Sequence, residues 1–384
     1  MTSATELTTS LLDTWATDPA GPVALHMKQQ LVPVEGAKGI VFPPTYADIG
    51  YNVDEFADGT KVATIDSVGS QANRMEPLFK AADPGQAVNP LAKLIPQIAI
   101  VLRTEGKGKE EHKDPPISLL DLAHRSADAV VRSCPGLSEL IKGAFKDLQT
   151  GNAAPLCTLA PTSLVFGVWD SRGESGQKRP RLVRAVIRAW DVEKLHSAAQ
   201  FNSVWKRLDE DQKAELEAQA KESKVKLSVQ GFADAPSTTR DDGSRVLGGI
   251  RANGRIEREV TINLVALRGL KGPSEKESAD LRRYLLGLSL LAATADIDLF
   301  LREGCNLRFA EDDAWVEVPR RGEPRSVAIA GPGSRKLIGE YASAAAKPFQ
   351  DKWPKKLEYT FDLKSARQLI KAAAKKKAGD SEKS

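Results

Sequence analysis

"FGVWDSRGESGQKRPRLVRAVIR" spans Phe166–Arg188, and its reading decides the fold. "TSLVFGVW" (Thr162–Trp169) reads as a buried strand, Asp170–Arg181 as a polar hairpin-like excursion, and Leu182–Arg188 as a returning strand. On the returning strand Val183, Ala185 and Ile187 point one way, and Arg184, Val186 and Arg188 the other. That alternation predicts a sheet with one packed face and one basic face, the signature of an antiparallel layer. The same window, Asp170–Arg188, holds six Lys/Arg against two acids, an excess equal to the net charge of +4 of the whole chain. Charge concentrated in this way marks a phosphate-binding surface or a solvated, ion-paired face.

Working outward, further strands are expected near Val32 and over Val62–Asp66, Leu94–Leu102, Val260–Leu267 and Trp315–Val318. Helices are expected within residues 1–20 and over Leu137–Leu148, Leu281–Ala293 and Lys336–Ala346. Ser118 caps a further helix through Leu120, Ala123, Ala127 and Val131. Asn253-Gly254, inside the glycine-rich stretch Val246–Leu270, predicts a tight hairpin turn. Strands and helices interleave with hairpins, so the expected class is α+β, with a mostly antiparallel sheet and helices on one face. The chain divides into an N-terminal segment (1–60), a central region (61–350) with a charged, helical insertion over about 201–245, and a C-terminal segment (351–384) ending in a disordered basic tail.

The composition, 41% hydrophobic and 28% charged over 384 residues, is that of a soluble protein with a substantial core. Three cysteines lie far apart, with no CxxC pair, which favours a reducing, cytoplasmic setting. The start is polar and acidic, unlike a signal peptide, and no apolar run is long enough to span a bilayer. No membrane partner and no cofactor are expected.

Three segments could carry function. After Asp66, a helix would place Ser70, Asn73, Arg74 and Pro77 on one face and Ala72, Met75 and Phe79 on the other. Small residues, open N–H groups and a guanidinium suit an anion, with Gln71 alongside; the alternative is that Asn73 and Arg74 brace the strand–helix junction. The second segment supplies Arg172, Lys178, Arg179, Arg181 and Arg184. The third supplies Arg251, Arg255 and Arg258 around Gly248-Gly249. The four histidines are scattered, and no phosphate loop, nucleophile elbow or dinucleotide fingerprint occurs, so no catalytic residue is expected. Asp234, Asp241 and Asp242 read as loop solubilisers or as ligands of a hard cation.

The ordered blocks "SVGSQANRMEP", "TSLVFGVWDSRG…RLVRAVIR", "GGIRANGRIEREVTINLVALRGL" and "LRRYLLGLSLLAATADIDLFLREGCNL" resemble the backbone subunit of type I-G (formerly I-U) CRISPR surveillance complexes, a RAMP-superfamily protein of the Cas-seven group. The resemblance extends from about residue 66 to about residue 310. It implies a ferredoxin-like, RRM-type palm with inserted finger and thumb elements. It also implies a non-catalytic scaffold that stacks head to tail on CRISPR RNA and leaves the guide free to pair with target DNA. The implied partners are neighbouring copies, the large subunit and a fused guide-processing subunit. RNA-binding residues would be Ser70, Gln71, Asn73, Arg74, Arg172, Lys178, Arg179, Arg181, Arg184, Arg251 and Arg255, and the thumb would be either Gly231–Ser244 or the hairpin at 248–258. The alternatives are a metal-dependent ribonuclease of the same superfamily, using one of the three loop aspartates, and a sequence-independent single-stranded RNA-binding assembly protein outside CRISPR.

Overall fold

The computed structural model describes residues 4–104, 112–113, 115–170, 178–196, 205–225, 227, 232, 247–311 and 313–381. Its first helix, α1 (Thr9–Thr17), starts where the Thr8 side chain accepts from the Leu11 amide, and it buries Leu12, Trp15 and Ala16. The strand expected near Val32 is a ten-residue element, β1 (Ala24–Pro33), whose alternate residues Leu25, Met27, Gln29 and Leu31 are buried. Next come β2 (Lys61–Asp66) and α2 (Val68–Met75), joined by the Ser67 cap, whose hydroxyl accepts from the Ser70 amide. The amphipathic helix α3 (Leu137–Gln149) follows.

β3 (Val183–Trp190) continues through Asp191 into β4 (Val192–His196). The charged helix α4 (Glu210–Glu222) opens with a capping box at Asp209 and buries none of its described residues. β5 (Leu247–Ala252) leads into β6 (Ile256–Asn263), then into α5 (Glu275–Ala293), β7 (Cys305–Phe309), β8 (Ala314–Val318), α6 (Pro332–Gln350) and α7 (Leu363–Ser381).

The result is an α+β protein with a mostly antiparallel sheet. Among the described residues the main sheet has ten strands, with the central order β8-β1-β6-β3-β2. Four of these follow the chain order β1, β3, β6, β8, so the sheet places them fourth, first, third, second. α5 fills the packed face: Leu281, Tyr284, Leu285, Leu288 and Ala292 are fully buried. It packs closely on α6, where a Cβ on Gly287 would stand 2.8 Å from the Ala342 Cα. The opposite face holds mainly exposed or half-buried residues, with Val186 buried among them. One row across it is Arg184–Thr261–His26, and the next is Val186–Glu259–Lys28. Charge there is mixed, because Glu259 pairs with both Arg188 (3.0 Å) and Lys28 (3.7 Å).

Several sequence expectations need correction. Thr162–Trp169 is not a strand: Pro161 opens a short helix to Val165, Gly167 turns the chain at φ +80°, and only Val168–Trp169 is extended. The run Leu94–Leu102 is extended only over Ala99–Val101, after a 3-10 turn over Pro90–Leu94. Ser118 does cap, but it caps a 3-10 turn rather than a long helix. Arg125, at φ +52°, breaks the helical path. The strand expected to reach Leu267 ends at Asn263, which caps the helix Leu264–Arg268.

Asn253-Gly254 is the most informative correction. β5 and β6 do not pair with each other: β6 pairs with β3, and β5 pairs with β4. The Asn253 amide donates to the Asp191 carbonyl and the Gly254 amide to the Trp190 carbonyl. β3–β4 and β5–β6 therefore form one long antiparallel ladder, bent midway, in which Asn253-Gly254 is a bulge rather than a turn. Beyond the bend, β4 and β5 leave the main sheet as an arm, joined on its other edge by Ile40–Val41.

Candidate nucleic-acid interface

α2 stands between two clusters of arginine. Its apolar side is as expected, with Ala72, Met75 and the following Phe79 buried. Its polar side divides at two adjacent residues. Arg74 reaches Asp66 and Asn73 reaches Arg125.

The first cluster forms around Asp66, a fully buried carboxylate at the end of β2. It accepts from the Ser70 hydroxyl (2.7 Å), the Gln71 amide (2.7 Å), Arg74 Nε (3.1 Å) and Arg302 Nη2 (3.3 Å). The arginines are held a second time by backbone: Arg74 Nη2 donates to the Leu301 carbonyl (2.8 Å) and Arg302 Nη1 to the Phe42 carbonyl (3.2 Å). Two cations share one anion, so the group keeps a net positive charge. Arg74 and Arg302 each expose about a quarter of their side chains. Behind them, Gln71 Oε1 accepts from Arg258, which is buried within the core; burial pulls its guanidinium down to about 10.

The second cluster is Arg125, Arg181 and Arg184. Arg125 is buried and pairs with Glu76 at 2.6 Å, and Arg125 Nη2 donates to Asn73 Oδ1 at 3.3 Å. Burial pushes the Glu76 carboxyl up to about 7, against the pull of the Arg125 guanidinium. Arg181 is half-buried, and its proton affinity is lowered by burial and then by repulsion from Arg125 and Arg184. Among the described residues no carboxylate pairs with Arg181 or Arg184. Gly167 makes room for Arg181, since a Cβ there would stand 2.8 Å from the Arg181 Cγ. Three guanidiniums with one carboxylate among them give this side of α2 an excess of positive charge, a chemistry that suits an anion.

The remaining expected residues are spread more widely. Lys178 lies over the ring of Trp169 at 5.5 Å, and Arg179 donates to the Leu148 carbonyl (2.9 Å) at the end of α3. Arg251 pairs with Glu193 on the arm (2.6 Å), and Arg255 pairs with Glu257 at the bend (3.0 Å) while covering Trp190. Arg172 lies outside the described residues, as do Asp234, Asp241, Asp242 and nearly all of Gly231–Ser244. Sequence reasoning missed Asp66, Arg125 and Arg302 as members of the site. Arg125 and Arg302 are joined to it by contacts far along the chain, which no local spacing signals, whereas Asp66 precedes its partners Ser70, Gln71 and Arg74 by only four, five and eight residues.

Among the described residues, no helix is long and apolar enough to cross a membrane. No curated protein matches the chain. Residues 25–194, a span from β1 into β4 that includes α2 and every residue of the two clusters except Arg302, match the family described as CRISPR-associated protein GSU0053, and this match supports a CRISPR-associated protein.

Proposed function

We propose that the chain is a non-catalytic backbone subunit that oligomerises along CRISPR RNA in a type I-G effector complex, in the cytoplasm. It grips the RNA backbone independently of sequence and presents the guide for pairing with target DNA. Neighbouring copies, the large subunit and the guide-processing subunit complete the assembly. The observation that carries this reading is the group Arg125–Arg181–Arg184, within the span that matches the CRISPR-associated family. A guide differs from one complex to the next, so its holder needs phosphate and sugar contacts rather than base-edge contacts. Arg181 and Arg184, which pair with no carboxylate among the described residues, suit such contacts. The fourth-first-third-second strand order, with α5 between β6 and β8, supports a ferredoxin-like palm. The β4–β5 arm is the element best placed to serve as the thumb, since it leaves the sheet and carries the longest connection of the ladder.

The test is co-expression with a CRISPR array, followed by measurement of particle size and bound RNA. The expected product is a multi-copy particle holding RNA of uniform, guide-like length. Arg181→Glu combined with Arg184→Glu should yield folded protein without RNA. A monomeric preparation carrying no RNA, or only random cellular RNA, overturns the proposal.

A further inference from the structure

Both arginines of the Asp66 group are fastened to backbone that carries an exposed aromatic ring. Arg302 donates to the carbonyl of Phe42 itself, and Arg74 donates to the carbonyl of Leu301, next to Phe300. Phe300 is 56% exposed and Phe42 38%, although Leu301 between Phe300 and Arg302 is buried. The Phe42 ring and the backbone of Phe300 are held in place. The Phe42 amide donates to the Gly304 carbonyl (2.9 Å), and its ring lies so close over Gly304, at φ +73°, that a Cβ there would stand 2.7 Å from Phe42 Cδ2. Phe300 sits on a strand paired with β7. Exposed phenyl area is apolar surface left in water, so two partly exposed rings beside a net positive group suit a ligand with both a flat apolar face and an anion. A nucleotide of single-stranded nucleic acid has both.

We propose that Phe42 and Phe300, together with Arg74 and Arg302, form a nucleotide-binding site in which an RNA base stacks on an exposed ring while the adjoining phosphate meets the guanidiniums. This rests on the RNA-binding reading above and adds to it: part of the grip goes to bases, through their faces. Stacking is indifferent to base identity because every base has a π-face, so the site remains compatible with any guide.

The test uses the full-length protein and two labelled oligonucleotides of equal length and charge, a single-stranded RNA and an abasic counterpart. Phe300→Ala should weaken RNA binding about five-fold or more, as expected when one stacking platform is removed. It should leave binding of the abasic oligonucleotide unchanged. Phe42→Ala should behave alike. Phe300→Trp should retain RNA affinity, and its emission should be quenched by RNA but not by the abasic oligonucleotide. Phe300 is exposed, so an unchanged melting temperature will show that each variant is folded. If Phe300→Ala binds RNA as the unsubstituted protein does, or weakens both ligands equally, the stacking site is refuted while the RNA-binding reading stands. If the unsubstituted protein binds neither ligand, both fall.

Discussion

Arg181→Met separates a ligand-binding arginine from a structural one. The Arg181 stem packs on Gly167, and methionine preserves that stem while removing the charge. In the folded protein the charge is unfavourable: burial and the neighbouring Arg125 and Arg184 all lower its proton affinity. Removing it relieves a cost of folding. The melting temperature should therefore stay constant or rise. RNA binding should change in the opposite sense. With one fewer phosphate neutralised, the plot of log affinity against log salt flattens by roughly 0.7 for single strands, and adding Arg184→Met brings the total to about 1.4. The assay is fluorescence anisotropy with a labelled single-stranded RNA from about 50 to 200 mM salt, beside thermal melting of the same samples. Lys276→Met, on an exposed helical pair with Asp280, is the control and should leave the slope alone. A fall in melting temperature with an unaltered slope would refute the reasoning and make Arg181 a structural brace.

Two further perturbations test the rest of the site. Asp66→Ala leaves two guanidiniums, a hydroxyl and an amide without their shared buried acceptor, and should destabilise the protein by about 3–5 kcal/mol in denaturant titration. Glu76 gives a pH dependence. Its carboxyl holds a proton to about pH 7 when folded but releases it near the ordinary 4.5 when unfolded. The stability from this group is thus fullest below about pH 4.5 and falls as pH rises towards 7. Melting temperatures across that range should show the decline, and Glu76→Gln should remove it.

Local patterns in the sequence were sufficient for the elements whose pattern and partners agree. The alternation Val183–Arg188 is a strand with Arg184 outward, and the run around Leu281–Ala293 is a core helix. They were insufficient wherever the partner lies far away. Asn253-Gly254 has the chemistry of a hairpin turn, yet β6 pairs with β3 and β5 with β4, and the dipeptide became a bulge. "TSLVF" is apolar enough for either a strand or a helix, and Pro161 and Gly167 decided for the helix. At the site, Ser70, Gln71, Asn73 and Arg74 lie on a helix after Asp66, as their spacing predicts. The carboxylate that orders three of them bears no mark in the sequence beyond ending a strand. Arg302 lies 236 positions from Asp66, and such a contact leaves no periodic trace.

The arm has one more consequence. His196 and Leu247 are partners across its ladder, so the chain departs and returns at a single point. Whatever length connects them, the sheet's register is already fixed by β3, β6 and the paired legs of the arm. Residues between these two positions can lengthen, shorten or be exchanged at little thermodynamic penalty, since closing a longer loop costs only about 0.6 kcal/mol per doubling. The fold thus offers a cassette position: descendants could vary the appendage without disturbing the sheet beneath it.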